Sequence, residues 1–315
     1  MIRLSRSLIL LFSAILVLLL SSFLRKDGEI TKVQLGRLLF FDPILSSDSS
    51  ISCSSCHKPE FYFADTLARS HGVGKGLTKR NTPSVLNMAS RELMFWDGRA
   101  HSLEHQALFP VQDPNEMNLA IPEAIRRLNA SLPYRRYFNQ VFKKNPDEQS
   151  LRESLAAFQT SLETAGSKFD LAMNDKASLS EEEKAGQRIF VGKGKCFDCH
   201  FGQDFTGDEF RNIGLYDGKK WNDKGRFDIT GDSADLGKFK VPGLRNVAMT
   251  APYMHNGSFK TIREVIDFYV SPEKFVPEAI GTDTLIRKGL SLNEKEKLQL
   301  EAFLKTLTSP PLVLK

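Results

Sequence analysis

All four cysteines of the chain fall into two identical frames, Cys53-Ser-Ser-Cys56-His57 and Cys196-Phe-Asp-Cys199-His200. Paired cysteines outside the cytosol default to disulfides, and C-x-x-C is also a zinc or redox motif. Neither reading explains why a histidine directly follows each second cysteine. Two thiols forming thioethers to a porphyrin, and an adjacent imidazole ligating its iron, account for all three residues. The sequence therefore predicts two covalently bound c-type haems, with His57 and His200 as proximal ligands. No cysteine is left over for a structural disulfide.

The elements that position these frames read mainly as helix, and the 315 residues leave room for two domains. Leu151, Leu155, Phe158 and Leu162 recur at helical spacing and predict one packed face. Ser180-x-x-Glu183 is a capping box for a helix running through Phe190 toward the second frame. Ser291-x-x-Glu294 predicts another, with Leu300, Phe303, Leu304 and Leu307 as its apolar stripe and Pro310-Pro311 after it. Thr261-x-x-Glu264 caps a third, in which Ile262, Val265, Ile266 and Tyr269 share one face. The Gly-rich stretch from 202 to 243 reads as loops wrapped over haem. The expected units are a leader over 1–24, one haem domain over 28–170 and a second over 171–315.

The leader has Arg3 and Arg6 before an apolar run from Leu8 to Leu20, then Ser21 and Ser22, which is the pattern of an export signal. Phe23 and Leu24 lengthen the run toward an uncleaved anchor. Either way the haem domains are expected in the periplasm. The net charge of +5 includes those two leader arginines. It points to no nucleic-acid partner.

Several blocks beyond the frames resemble the bacterial dihaem cytochrome c peroxidases and their relatives of the MauG type. They are LGRLLFFDP (35–43), RNTPSVLN (80–87), FWDGRA (95–100), EHQALFPVQDPNEM (104–117) and VPGLRNVAMTAPYMHNGSFKTIREVIDFY (241–269). The resemblance implies two cytochrome-c-like domains, each with one haem, and a calcium ion between them. It implies hydrogen peroxide as oxidant at the His57 haem, with the His200 haem relaying or storing an oxidising equivalent. Glu116 would be the distal acid/base there, Gln106 its hydrogen-bonding partner, and Trp96 the tryptophan between the haems. Asn81, Thr250 and Pro252 match the calcium site, the last two through backbone carbonyls. A small cytochrome or copper protein would donate electrons in a peroxidase, or a partner protein's aromatic residues would be oxidised in a MauG-like enzyme. A plain dihaem electron carrier is the third reading. A carrier, however, needs no polar distal pocket. Monomer or homodimer is left open.

Two departures separate the branches. Where the peroxidases carry a methionine on the second haem, the matching position is Tyr269, as in the MauG branch. Met254 and His255 are rival ligands. An anionic phenolate favours ferric iron, whereas a thioether raises the potential. The second departure is Val73, which stands where the peroxidases carry a displaceable distal histidine; His71 lies two places earlier. His101 and His105, four apart on an expected helix, read as a solvated face unless a third metal ligand joins them. The first expectation is checked by pyridine haemochrome, which should give two haems per chain. Cys53→Ser or Cys196→Ser should weaken attachment of its own haem alone.

Overall fold

The protein is described by a computed structural model over residues 30–314. The expected leader, residues 1–24, lies outside the described residues. Helices joined by long loops make up nearly all of the described residues. Strands β1 (Phe210–Arg211) and β2 (Phe239–Lys240) pair antiparallel, inside the stretch expected to be loops. No helix among the described residues is long and apolar enough to cross a membrane.

Two hydrophobic cores form. The first is built on α1 (Lys32–Phe41), α2 (Ile121–Ala130), α3 (Leu132–Phe142) and α4 (Glu148–Thr160). Leu151, Leu155, Phe158 and Leu162 are all buried in it, as their spacing predicts. Phe169 of α5 (Lys168–Met173) packs into the second core, formed with α6 (Glu181–Val191), α7 (Ile262–Val270) and α8 (Glu294–Lys305). The capping boxes Ser180–Glu183 and Thr261–Glu264 open α6 and α7 as expected. The box on α8 does not start at Ser291. Leu292 is still packed in the core, and Asn293 with Glu296 makes the reciprocal cap instead. Beyond α8 the tail returns to the first core. Leu312 and Leu314 pack there, and the Tyr62 hydroxyl donates to the Ser309 carbonyl at 2.8 Å.

The same helix crossing opens and closes each half. A β-carbon on Gly36 of α1 would stand 1.9 Å from the Ser154 carbonyl oxygen of α4; one on Gly186 of α6 would stand 1.9 Å from that of Gln299 in α8. Four residues on from each glycine a phenylalanine meets its opposite number, Phe40 to Phe158 at 5.1 Å and Phe190 to Phe303 at 5.2 Å between ring centroids. Backbones can approach this closely only where no side chain intervenes. Each half then repeats a second device. Asn87 and Asn246 both adopt the left-handed conformation (φ 56° and 62°). Their N–H groups donate to Leu162 and Leu307 at 2.9 and 3.0 Å. Their side-chain oxygens accept from the N–H groups of Thr164 and Ser309 at 2.7 and 2.8 Å. The chain is thus a structural duplication. Gly36→Ala or Gly186→Ala should force the helices apart and cost about 2–3 kcal/mol, at the upper end for an overpacked core. The midpoint of denaturant unfolding checks this.

Candidate functional site

His57 and His200 are positioned alike. The Nδ1 of His57 lies 3.1 Å from the Phe63 carbonyl, and that of His200 3.0 Å from the Phe205 carbonyl. An Nδ1–H donated to a carbonyl fixes the tautomer and leaves Nε2 as the free ligating nitrogen. Burial lowers the pKa of both rings, which keeps them neutral. The four cysteines are free thiols. Burial raises Cys53 and Cys196 to about 12, and Cys56 and Cys199 to about 11. Among the described residues no group of three or more His, Cys, Asp or Glu could hold a metal ion.

Around Cys196, Cys199 and His200 opens a cavity of about 320 Å³. Its walls are largely apolar, including Phe190, Ile262, Val265, Ile266 and Leu300, and Arg91, Arg211, Lys240 and Arg245 also line it. A flat apolar macrocycle with two carboxylates fits such a donor set. Tyr269 faces the same cavity from α7, and burial followed by the nearby Cys199 and Cys196 thiols raises its hydroxyl above the ordinary tyrosine value. Met254 and His255 also line the cavity. The His255 ring, however, is stacked flat on Phe239 at 3.6 Å, and burial lowers its pKa to about 3.

The duplication gives the residues that correspond between the two halves. Trp96 and His255 each lie nine residues beyond their left-handed asparagine, in loops closed by the bridges Met94–Ala100 and Tyr253–Phe259. Six residues later come the helix caps Ser102 and Thr261. In this register Val265 corresponds to Gln106 and Tyr269 to Pro110. The helix that continues to Tyr269 in the second half is broken in the first into Leu103–Gln106 and Phe109–Gln112, with Pro110 in the second piece. Proline lacks the N–H and clashes with the preceding turn. Its ring also offers no ligating atom. Sequence reading overlooked Pro110; the repeat was the signal that could have found it.

Beyond Gln112 the chain folds back. Met117 donates its N–H to the Pro110 carbonyl at 3.1 Å, and Glu116 to that of Asp113 at 3.0 Å. Glu116 is partly buried and close enough to Cys53 and Cys56 to raise both thiols. Desolvation and then Asp113 push its own carboxyl up to about 7, against the opposing pull of Arg99. The buried Oε1 of Gln106 has no hydrogen-bond partner among the described residues. A buried orphan acceptor of this kind awaits a ligand or water. Val73 donates to the Glu116 carbonyl at 2.8 Å, so the loop from 71 to 77 lies along this segment, with His71 exposed.

Between the halves the bonding is reciprocal. The Trp96 carbonyl accepts from Lys240 at 2.8 Å and the His255 carbonyl from Asn81 at 2.7 Å. The Trp96 indole donates to the Asn81 carbonyl at 2.9 Å and lines the cavity. Below it, buried Arg80 pairs with Asp97 of the first half and, at 2.7 Å, with Asp223 of the second.

A family model described as di-haem cytochrome c peroxidase matches residues 30–178. The methylamine utilization protein MauG of Methylorubrum extorquens is 37% identical over 285 residues, covering 89% of this chain and 79% of the relative. The cytochrome c551 peroxidase of Nitrosomonas europaea is also 37% identical, over 87% of this chain and 79% of its own. The chain belongs to the di-haem cytochrome c peroxidase family. A solved MauG-like protein associated with microbial copper homeostasis superposes with a TM-score of 0.80 at 36% identity, covering 88% of this chain and 89% of that one. Membership makes the chain an oxidoreductase with two haem cofactors. The mainly helical architecture is that of its dihaem relatives.

The three residues matched to calcium by the resemblance, Asn81, Thr250 and Pro252, line the same cavity as His200. The Asn81 amide donates to the Leu67 and Ala68 carbonyls at 3.1 and 3.3 Å, which turns its Oδ1 away from them. His101 and His105 do not share a helix, because Ser102 caps the helix that begins at Leu103. Their rings nevertheless meet, Nδ1 to Nδ1 at 3.0 Å.

Proposed function

We propose that this chain is a periplasmic dihaem peroxidase that reduces hydrogen peroxide at the His57 haem with electrons relayed through the His200 haem. The supporting observation is a carboxyl, Glu116, held near neutrality beside an orphaned Gln106 oxygen, where the repeat has Pro110 in place of a ligand. The thioethers would come from Cys53, Cys56, Cys196 and Cys199. Two haems supply two one-electron centres for a cleavage that takes two electrons and two protons and gives two waters. Glu116 as carboxylate takes the proton from one peroxide oxygen and returns it to the oxygen that leaves. Gln106 orients the peroxide. Val73 leaves no displaceable side-chain ligand, so peroxide reacts with the fully oxidised protein. Trp96, bonded to both halves, carries electrons between them. Calcium between the halves would take Asn81 Oδ1 and the Thr250 and Pro252 carbonyls, oxygen donors suited to a hard cation.

Electrons come from a small cytochrome or copper protein. Tyr269 favours a second reading, in which a partner protein's aromatic residues supply them, since a phenolate ligand stabilises the oxidised iron. The haem domains would follow the two cores, near 28–170 and 171–315.

Stopped-flow mixing with peroxide tests the first site. The parent rate should rise with pH through about 7, as the base form of Glu116 appears. Glu116→Gln should be slower by roughly 100- to 10,000-fold and flat over that range. A Glu116→Gln rate equal to the parent's would remove the assignment. Tyr269→Met tests the second site. It should move the ferric spectrum toward a His/Met type and raise that haem's potential. No change in either would transfer the ligand role to Met254 or His255.

A further inference from the structure

His101 and His105 take no part in the proposed chemistry, and the duplication supplies an internal control for them. Their counterparts in the second half are Lys260 and Glu264. There the Glu264 carboxylate reaches back to the N–H groups of Lys260 and Thr261 and completes the cap of α7. In the first half Ser102 still accepts from the His105 N–H at 3.0 Å, but the His105 side chain turns to His101. The reciprocal half of the cap is given up for an imidazole pair. A cap bond exchanged for a solvent-facing imidazole pair points to another use of the residues.

The pair has the geometry of a chelate. Two nitrogens bound side by side to one metal, each about 2.0–2.1 Å from it, stand roughly 3.0–3.4 Å apart. The two Nδ1 atoms stand 3.0 Å apart. A head-on hydrogen bond between imidazoles at that distance would hold the ring centroids more than about 5 Å apart. Here they are 4.3 Å apart with planes inclined by 50°, so the two nitrogens meet obliquely rather than head-on. The nearby Arg152 guanidinium is engaged by Glu148 and by the Glu104 and His105 carbonyls. His101 is exposed, so the remaining coordination positions open to solvent.

We propose that His101 and His105 form a surface site for a late first-row divalent cation, Cu(II) bound most tightly, through both Nδ1 atoms with water completing the shell. Imidazole suits copper, zinc and nickel, and Cu(II) heads the divalent affinity order. No third protein ligand joins them among the described residues, so the cation is exchangeable.

The test is equilibrium dialysis of the two-haem protein against Cu(II) and, separately, Zn(II), with EPR of the bound copper. The control is the double variant His101→Lys, His105→Glu, which installs the cap pair that already works at Lys260 and Glu264. Unchanged haem spectra report its fold. The parent should bind one Cu(II) more than the double variant, with two-nitrogen splitting, and at least tenfold more tightly than Zn(II). His101→Ala alone should weaken copper by tenfold or more. Equal copper uptake by parent and double variant, or none by the parent at this site, would overturn the proposal.

Discussion

The contact on which both halves depend is backbone against backbone. Gly36 on α1 meets Ser154 on α4, and Gly186 on α6 meets Gln299 on α8. Each crossing brings a phenylalanine pair together directly below it. In the second half α6 ends shortly before Cys196, so the crossing fixes where the haem frame begins. In the first half Phe40 also lies 6.3 Å from the His57 ring, which ties the crossing to the proximal side. A cavity for a rigid macrocycle tolerates little error in its walls, and close-packed helices supply that rigidity.

On this duplicated frame the two sites differ through a handful of substitutions rather than a different fold. A helix that runs unbroken from Thr261 delivers the Tyr269 side chain to its cavity. Proline at the corresponding position withholds a ligating atom and interrupts the helix just before it, after Gln106. The helical run nevertheless ends within one residue of the same place in both halves, at Gln112 and at Val270. It is the turn from Asp113 to Met117 beyond that end which brings Glu116 near Cys53 and Cys56.

What could be read in the sequence follows from how local each requirement is. The haem frames were legible because thioether and imidazole chemistry dictates five consecutive residues. That Tyr269 faces the cavity was legible because it shares a helical face with Ile262 and Ile266, and that face is buried. Asn87 and Asn246 make the same bonds in the two halves, but Trp96 answers to His255 and Gln106 to Val265. Little in the residue types advertises the duplication, so Pro110 went unread. The reading of His101 and His105 as one helix face failed because Ser102 begins the helix between them. The raised pKa of Glu116 depends on burial, Asp113 and Arg99, a combination that no spacing encodes.

The two halves must also hold a fixed separation if electrons are to pass between them. The reciprocal bonds from Lys240 to Trp96 and from Asn81 to His255 set the register, but backbone hydrogen bonds contribute only about 0.5–1.5 kcal/mol each. The ion cluster beneath adds a constraint of another kind. Arg80 is buried between Asp97 and Asp223, and Asp97 also holds Arg99 at 2.9 Å. A buried pair adds little net stability over an apolar contact, yet breaking one is costly because it strands a charge. Sliding the halves apart would strand Arg80 from Asp223. The cluster therefore penalises displacement more than it rewards assembly. Through Asp97 and Arg99 it also reaches the group that opposes the rise of the Glu116 pKa. The charge that holds the halves in register and the charge that opposes the rise of the Glu116 pKa are parts of one network.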